Sequence, residues 1–302
     1  MIQFLYLGRV AYDEGLRLQE EMVAMRAGGR IDNVLLLLEH PPVLTLGRNA
    51  TRANILVSDE LLAQRGVTVH EINRGGDVTY HGPGQLVGYP IFDLRSLRNP
   101  NGGRLGPVDF VRRMEEALIR LCGVYGVRAG RIAGLTGVWC GHAGGGPLEE
   151  GAARGEFLEQ GGGDKDSRKI GAIGIHVSRG ITSHGFAFNV TTDLRDFQLI
   201  NPCGITDRPV TSLAKEVADP ATLPGLEAIA HQAARQFGSV FGEPVLAIEG
   251  LDALRAQARS VAAEKPADHE VVEEQGMAED TPLRVPREVE RLHDPRERPV
   301  RA

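Results

Sequence analysis

The sequence predicts a mixed α+β domain, and three patterns carry that prediction. Helical and extended segments alternate along most of the chain, one continuous apolar run is typical of a buried strand, and two long segments have amphipathic helical spacing. The chain has 302 residues, of which 42% are hydrophobic and 25% charged, so it is long enough to bury a sizeable core.

Three helices follow from the local patterns. Residues 13–26 have helical composition and end at Gly28 and Gly29. Residues 108–121 repeat apolar side chains at the i, i+3, i+4 spacing and reach a helix-stopping glycine, Gly123. Residues 226–241 also place their apolar side chains on one face.

Four segments are predicted as strands because apolar residues run together or lie between breakers. They are residues 34–38, 137–140, 169–177 and 181–190, and the last two are joined by a turn at residues 178–180. Two further segments differ in composition. The glycine-rich residues 141–167 predict a flexible insertion at a hairpin tip, and the acidic, proline-rich residues 261–302 predict a disordered tail after a domain spanning residues 1–260.

Charge and cysteine usage exclude several classes of protein. The formal net charge of −6 argues against nucleic-acid binding through bulk positive charge. Three scattered cysteines do not make a disulfide framework and favour a reducing compartment. The N-terminus does not resemble a secretory signal, and no stretch approaches the roughly 20 apolar residues of a membrane helix, so we expect a cytoplasmic location and no membrane partner.

The densest chemical signal is the stretch from Arg74 to Gln85, RGGDVTYHGPGQ. Two adjacent glycines allow close approach to the backbone, and the polar side chains supply hydrogen-bond donors of several geometries. This composition is typical of the wall of a binding site, and it is equally typical of a solvated Gly-Pro loop.

Two residues farther along are candidates for covalent chemistry. Lys169 opens an apolar, glycine-spaced strand, where partial desolvation lowers a lysine pKa, although a lone lysine is more often simply exposed. Cys203 lies between proline and glycine on a predicted turn and is the best candidate nucleophile. Cys122 and Cys140 are expected to pack as small buried hydrophobes, and no spacing predicts a metal site.

Five motifs in order resemble the lipoyl(octanoyl) transferases, within the biotin and lipoate protein ligase fold family. They cover about residues 1–245 apart from the insertion, and they are the runs LEHPPVLTLG from Leu38, RGGDVTYHGPGQ from Arg74, KIGAIG from Lys169, HGFA from His184 with Asn189-Val190, and NPCGI from Asn201. The resemblance implies a mixed β-sheet backed by helices and the transfer of an octanoyl group from acyl carrier protein to a lipoyl domain.

The resemblance also implies roles for individual residues. Cys203 is the implied acyl-thioester nucleophile, and Lys169 the residue that lowers the cysteine pKa or transfers its proton. The implied substrate-binding residues are Arg74, Gly75, Gly76, Asp77, Val78, Thr79, Tyr80, His81, Ala172, Ile173, Gly174, Gly185, Phe186 and Ala187.

No cofactor is implied, because the donor carries its own phosphopantetheine and neither ATP nor a metal is expected. The implied partners are octanoyl-loaded acyl carrier protein, the lipoyl domains of 2-oxoacid dehydrogenase complexes and the glycine cleavage H protein. We also expect Ile173, Phe186 and Val78 to line an apolar channel for the acyl chain. We hypothesise that some of Arg48, Arg74, Arg168 and Arg179 lie around the site mouth and supply local positive charge for the acidic carrier.

Two other functions fit the same residues. An ATP-dependent ligase of the same fold would use a lysine without a covalent cysteine, and the setting of Cys203 argues for the transferase. A noncatalytic module that only binds the carrier is disfavoured because both Lys169 and Cys203 are present.

Overall fold

The structure is a computed structural model that describes residues 1–99, 102–141, 167–201 and 208–264. The strands are β1 Ile2–Arg9, β2 Asn33–Glu39, β3 Val43–Leu46, β4 Thr68–Glu71, β5 Val78–His81, β6 Gln85–Ile91, β7 Gly130–Ile132, β8 Leu135–Cys140, β9 Arg168–Ser178, β10 Ile181–Asn189 and β11 Val245–Ala247. The α-helices are α1 Tyr12–Ala27, α2 Asp59–Gln64, α3 Pro107–Val124, α4 Leu213–Glu216, α5 Leu226–Phe241 and α6 Leu251–Glu264.

Two sheets organise the described part of the chain. The larger has eight strands in the order β11-β1-β2-β6-β10-β9-β8-β7, and the smaller has three in the order β4-β3-β5. Strand β1 is parallel to β2 and β11, whereas β2, β6, β10, β9, β8 and β7 pair antiparallel in turn. The larger sheet is therefore mixed, as the family resemblance implied.

Helices cover both faces of the larger sheet. Leu35 and Leu37 of β2 belong to the core that includes α3 and α5, while Leu36 and Leu38 belong to the core that includes α1 and α6. Because alternate side chains of a strand point to opposite faces, the two helix pairs lie on opposite sides of the sheet. The smaller sheet has its own core, to which Leu44, Tyr80 and Phe197 belong.

The predicted helices and strands are confirmed, most of them with longer bounds, although β10 ends at Asn189, one residue earlier than predicted. Helix α5 coincides with residues 226–241, and α1 and α3 extend their predicted segments by a few residues. Strands β8 and β9 pair antiparallel up to Cys140 and Arg168, so the insertion joins two neighbouring strands as predicted. Residues 142–166 themselves lie outside the described residues.

The end of the domain differs from its predicted position. Helix α6 runs to Glu264, so the boundary at residue 260 falls inside a helix. The sequence pattern missed this helix because alanine and charged residues occupy most of it, and it buries only a narrow stripe that includes Leu254 and Ala258. Most of the predicted tail, residues 265–302, lies outside the described residues. Among the helices that the structure describes, none is long and apolar enough to cross a membrane.

Candidate active site

Two of the predicted binding segments are direct neighbours in the larger sheet. Strand β9 pairs with β10 so that Gly174 faces Gly185, Ile173 faces Phe186, and Ala172 faces Ala187. The two tripeptides, which lie apart in sequence, therefore form one continuous patch of sheet.

The segment that begins at Arg74 lies against this patch. The Gly75 amide donates a hydrogen bond to the Ile175 carbonyl at 3.0 Å, and a Cβ atom at Gly174 would lie 2.6 Å from the Gly75 carbonyl oxygen. A Cβ atom at Gly185 would similarly lie 2.1 Å from the Gly88 oxygen. The protein's own backbone therefore requires a glycine at positions 174 and 185.

Internal contacts hold the beginning of this segment rigidly. Arg74 is 8% exposed, and its Nη2 donates to both the carbonyl and the hydroxyl oxygen of Thr45 at 2.9 Å. The Asp77 carboxylate accepts two hydrogen bonds from the side-chain amide of Asn54, at 3.0 and 2.8 Å, and one from the Val78 amide at 2.7 Å. Gly76, which has a φ of +91°, accepts a hydrogen bond at its carbonyl from the Asn49 amide.

The rest of the segment enters the smaller sheet. Val78 and Tyr80 are buried in its core, Thr79 between them is half-buried, and the Tyr80 hydroxyl donates to the Asp196 carboxylate at 2.7 Å. Phe186 belongs instead to the core beneath α3 and α5, where its ring stacks on Phe237.

The three residues predicted to line an acyl channel belong to two hydrophobic clusters. Ile173 packs against the same core as Phe186, but Val78 is in a different hydrophobic cluster. The three residues thus come from strands of two different sheets, and the channel that they were predicted to line stays a prediction.

A chain of buried hydrogen bonds starts at His81. The Gln85 side-chain nitrogen donates to the Tyr80 carbonyl and to Asn189 Oδ1, so Gln85 Oε1 is left to accept from His81 Nδ1 at 2.8 Å. This assignment places the proton on Nδ1 and the lone pair on Nε2. Asn189 Nδ2 then donates to the Thr211 carbonyl at 2.9 Å.

The same chain reaches the strand that carries Lys169. The Thr211 amide donates to the Lys169 carbonyl at 2.9 Å, and the Lys169 amide donates to the Pro209 carbonyl at 2.9 Å. Strand β10 ends before it reaches Lys169, and residues 209–211 pair with β9 there instead. The motif containing His81 and the strand of Lys169 are therefore connected through buried polar groups.

Lys169 is half-buried and lies over an aromatic ring. Its Nζ is 4.7 Å from the centre of the Trp139 ring, which is itself 1% exposed. An indole face attracts a cation and favours the charged ammonium. Residues 202–207, and with them the predicted nucleophile Cys203, lie outside the described residues.

Sequence reasoning missed a second group of polar residues nearby. His40 Nδ1 donates to the Val10 carbonyl at 2.7 Å, and its Nε2 accepts from the Tyr89 hydroxyl at 2.6 Å. The Tyr12 ring centre lies 5.0 Å from that of His40 and 6.2 Å from that of His81. His40 belongs to the first of the five motifs, so the sequence could have identified it as a site residue. No sequence pattern identifies Tyr12, which is simply the first residue of α1.

Burial keeps three of these imidazoles neutral. Desolvation lowers the pKa of His81 to about 3 and the pKa of His40 and of His184 to about 4. His184 adopts a left-handed backbone conformation with a φ of +55°. Its backbone amide donates to Gln19 Oε1, and its ring Nε2 lies 2.8 Å from Asn73 Oδ1. All three histidines are therefore hydrogen-bonding groups at neutral pH and not charges.

The two described cysteines behave as predicted. Cys122 and Cys140 are 0% and 1% exposed and belong to the core beneath α3, where burial raises the pKa of the Cys122 thiol. Within the described ranges, no cluster of three or more histidine, cysteine, aspartate or glutamate side chains could hold a metal ion.

The four predicted arginines do not gather into one patch. Arg74 is buried, and Arg168 makes a bidentate ion pair with Glu216, at 2.9 and 3.0 Å. Arg48 and Arg179 are exposed, but Arg179 is in the β9–β10 turn, ten residues along the chain from Lys169. At strand spacing this separation is roughly 30 Å.

Comparison with known proteins identifies first the fold and then the family. The fold is that of lipoate protein ligases: a bipartite lipoate protein ligase from Thermoplasma acidophilum superimposes with a TM-score of 0.57 at 15% identity, covering 88% of this chain and 93% of that one. Residues 11–237 match the lipoyl protein ligase A/B catalytic domain, and the chain belongs to that family.

Two curated relatives are named octanoyltransferase. The protein from Acidobacterium capsulatum is 59% identical over 250 residues, which are 82% of this chain and 94% of that protein. The protein from Koribacter versatilis is 47% identical over 294 residues, 97% of this chain and 98% of its own length.

Proposed function

We propose that this protein transfers an octanoyl group from octanoyl-acyl carrier protein to the lysine amine of a lipoyl domain, through a thioester on Cys203. The observation that carries the proposal is the 59% identity to an octanoyltransferase over 94% of that relative's length. The relatives named octanoyltransferase support acyl transfer, and membership of the lipoyl protein ligase A/B family supports a role in protein lipoylation.

In the first step, the Cys203 thiolate attacks the carbonyl carbon of the donor thioester. The carbon–sulfur bond to the phosphopantetheine breaks, and that sulfur leaves as the thiolate, which takes up the proton that Cys203 gave up. A nearby ammonium favours the thiolate. The half-buried Lys169, held beside residues 209–211 and over Trp139, supports that role.

In the second step, the deprotonated amine of the target lysine attacks the acyl-Cys203 thioester. An amide forms, the Cys203 sulfur leaves, and the proton of the attacking amine passes to solvent or to a basic group of the site. Because an amide is more stable than a thioester, the reaction requires no ATP. We therefore propose that the protein uses no metal and no cofactor of its own.

The proposed partners follow from this chemistry. The donor is an acyl carrier protein, and the acceptors are the lipoyl domains of 2-oxoacid dehydrogenase complexes and the glycine cleavage H protein. We propose a cytoplasmic location, where both kinds of partner are made.

Intact-mass spectrometry after incubation with octanoyl-acyl carrier protein, without ATP, tests the proposal. We expect one octanoyl adduct on the wild type, and its transfer when a lipoyl domain is added. Cys203→Ser should lose the adduct. Cys122→Ser and Cys140→Ser are matched controls that remove buried thiols and should keep it.

Two results would contradict the proposal. An adduct that survives in Cys203→Ser would remove the assigned nucleophile. Transfer that occurs from free octanoate and only with ATP would make the protein a ligase.

A further inference from the structure

A cavity of about 650 Å³ opens next to the segment that flanks Lys169. One wall is the short 3₁₀ helix Leu194–Leu199, and the other is residues 208–210. It is lined by Thr192, Asp193, Leu194, Arg195, Phe197, Gln198, Ile200, Asn201, Arg208, Pro209, Val210 and Lys215. Of the residues of the candidate active site, only Pro209 and Val210 line this cavity, so most of its wall is formed by other residues.

The cavity is nevertheless tied to Lys169. Its Pro209 accepts the hydrogen bond from the Lys169 amide, and Val210 forms a parallel bridge with Lys169. The Arg208 guanidinium and the Lys169 ammonium also share one neighbour, the Trp139 ring, at 5.9 and 4.7 Å from its centre. One wall of the cavity therefore adjoins the strand position of Lys169.

The charges of the lining favour an anion. Its three cations, Arg195, Arg208 and Lys215, outnumber its one carboxylate, Asp193. Asp193 is held by Arg195 through Nε at 2.9 Å and Nη2 at 2.5 Å. Lys215 is exposed at the cavity rim on helix α4 and extends the positive potential there.

The remaining lining suits a long chain that alternates amides and apolar groups. Phe197, Ile200 and Val210 supply apolar surface, and Gln198 and Asn201 supply side-chain amides. A mostly apolar cleft of a few hundred Å³ with a few polar groups is the usual form of a small-molecule site.

We propose that this cavity binds the pantetheine arm of the acyl donor, with the phosphodiester of the arm beside Lys215 and Arg208 and the thioester end toward Lys169. The inference rests on the proposed function, because only a carrier-bound donor brings this arm. It assigns a ligand to a surface distinct from the segments implied to bind the acyl group.

Ligand-observed NMR titration tests the site without turnover. The probes are the S-methyl thioethers of 4′-phosphopantetheine and of pantetheine, which cannot exchange with Cys203. We expect the phosphorylated probe to bind at least about tenfold more tightly, and Lys215→Glu to abolish that preference. Lys215→Met, without charge reversal, should reduce it partly.

Arg179→Glu is the matched control, since it reverses one exposed arginine in the distant β9–β10 turn and should keep the full preference. Equal affinity for the two probes, no binding of either probe, or an unchanged preference in Lys215→Glu would overturn the site. Binding with the expected preference, but no acyl transfer from octanoyl-acyl carrier protein, would support the site and contradict the proposed function, so the two failures are distinguishable.

Discussion

Strands β6, β9 and β10 present two very different faces. On one side, Leu86, Ile170 and Phe188 enter a core closed by α3 and α5, where aromatic rings pack on one another. On the other side, the neighbouring residues Gln85, Lys169 and Asn189 project away from that core and carry the polar chain from His81 to residues 209–211.

The difference shows how one set of strands serves two purposes. The apolar face supplies burial and needs no specific partners. The polar face is also buried, so each of its donors and acceptors must be satisfied, and this requirement fixes its geometry. We expect changes on the apolar face to affect stability, and changes on the polar face to affect activity and pH dependence.

The largest expected effect is the loss of activity in Lys169→Met. The residue is half-buried and methionine keeps most of its apolar length, so the fold should remain while acyl transfer falls by about 10²- to 10⁴-fold. Transfer from octanoyl-acyl carrier protein measures the first effect, and thermal unfolding the second.

The pH dependence of Cys203 alkylation separates the role of Lys169 from general damage. Without the ammonium, the pH midpoint of alkylation should rise. An unchanged midpoint in Lys169→Met would contradict its role in lowering the cysteine pKa. Arg179→Met, which removes an exposed cation in the distant β9–β10 turn, is the control for loss of charge alone.

The second prediction concerns stability against pH. His40, His81 and His184 have their folded pKa values lowered to between about 3 and 4, whereas unfolded histidines titrate near 6.5. Below that pH the unfolded chain binds protons that the folded one does not, so the free energy of unfolding falls as pH drops from about 6.5 toward 4. Each histidine contributes up to about 1.4 kcal/mol per pH unit.

Urea unfolding at pH 7, 6 and 5 measures this slope. His184→Gln should make it shallower by one proton, while Phe188→Leu on the apolar face should lower stability without changing the slope. If His184→Gln has the wild-type slope, this histidine is not a buried neutral group.

The sequence predicted the apolar face better than the polar one, and the reason is periodicity. Helices α3 and α5 repeat apolar residues every three or four positions, so both could be predicted from a single segment. The smaller sheet could not, because its strands β3, β4 and β5 are only four residues long and come together from separate segments.

The polar face illustrates the same limit. Gln85 and Asn189 both belong to the family motifs, but no local sequence pattern predicts the hydrogen bond that the Gln85 side chain donates to Asn189. Their contact depends on the antiparallel register of β6 and β10, which pairs Gln85 with Asn189. The position of Val78 in the smaller sheet was hidden for the same reason, since only the fold reveals which of two sheets a short strand joins.

The third prediction compares the two faces at adjacent positions. Asn189→Leu leaves the Thr211 carbonyl without its buried donor and removes the acceptor of Gln85, at a cost of about 1–3 kcal/mol for each unsatisfied group. Phe188→Leu leaves a small cavity that costs about 1–2 kcal/mol.

The two variants should differ in activity although their stabilities are similar. Because Asn189 supports residues 209–211 beside Lys169, kcat should fall about tenfold or more in Asn189→Leu, by roughly the 1.4 kcal/mol that a factor of ten represents. Phe188→Leu should keep the wild-type kcat below its melting temperature. Equal kcat in both variants would contradict the prediction that the polar face supports activity and the apolar face only stability.

The smallest effect is expected for Trp139→Phe. The Lys169 ammonium lies 4.7 Å from the centre of the indole ring, and a phenyl ring attracts a cation less strongly than an indole. Weakening this contact by roughly 0.5 kcal/mol should lower acyl transfer two- to threefold, by the relation between free energy and rate. Trp139 is almost fully buried, so the variant also loses packing and a hydrogen bond to the Leu135 carbonyl, and stability alone cannot identify its role.

A double-mutant cycle with Lys169→Met separates the two roles of Trp139. If the ring acts on catalysis by holding the ammonium, Trp139→Phe should reduce transfer in the wild type and leave the residual activity of Lys169→Met unchanged. If the ring only supports the fold, the same fractional loss should occur in both backgrounds. Since Arg208 also lies 5.9 Å from the centre of the Trp139 ring, the cycle further tests whether these polar groups act as one unit or as independent contacts.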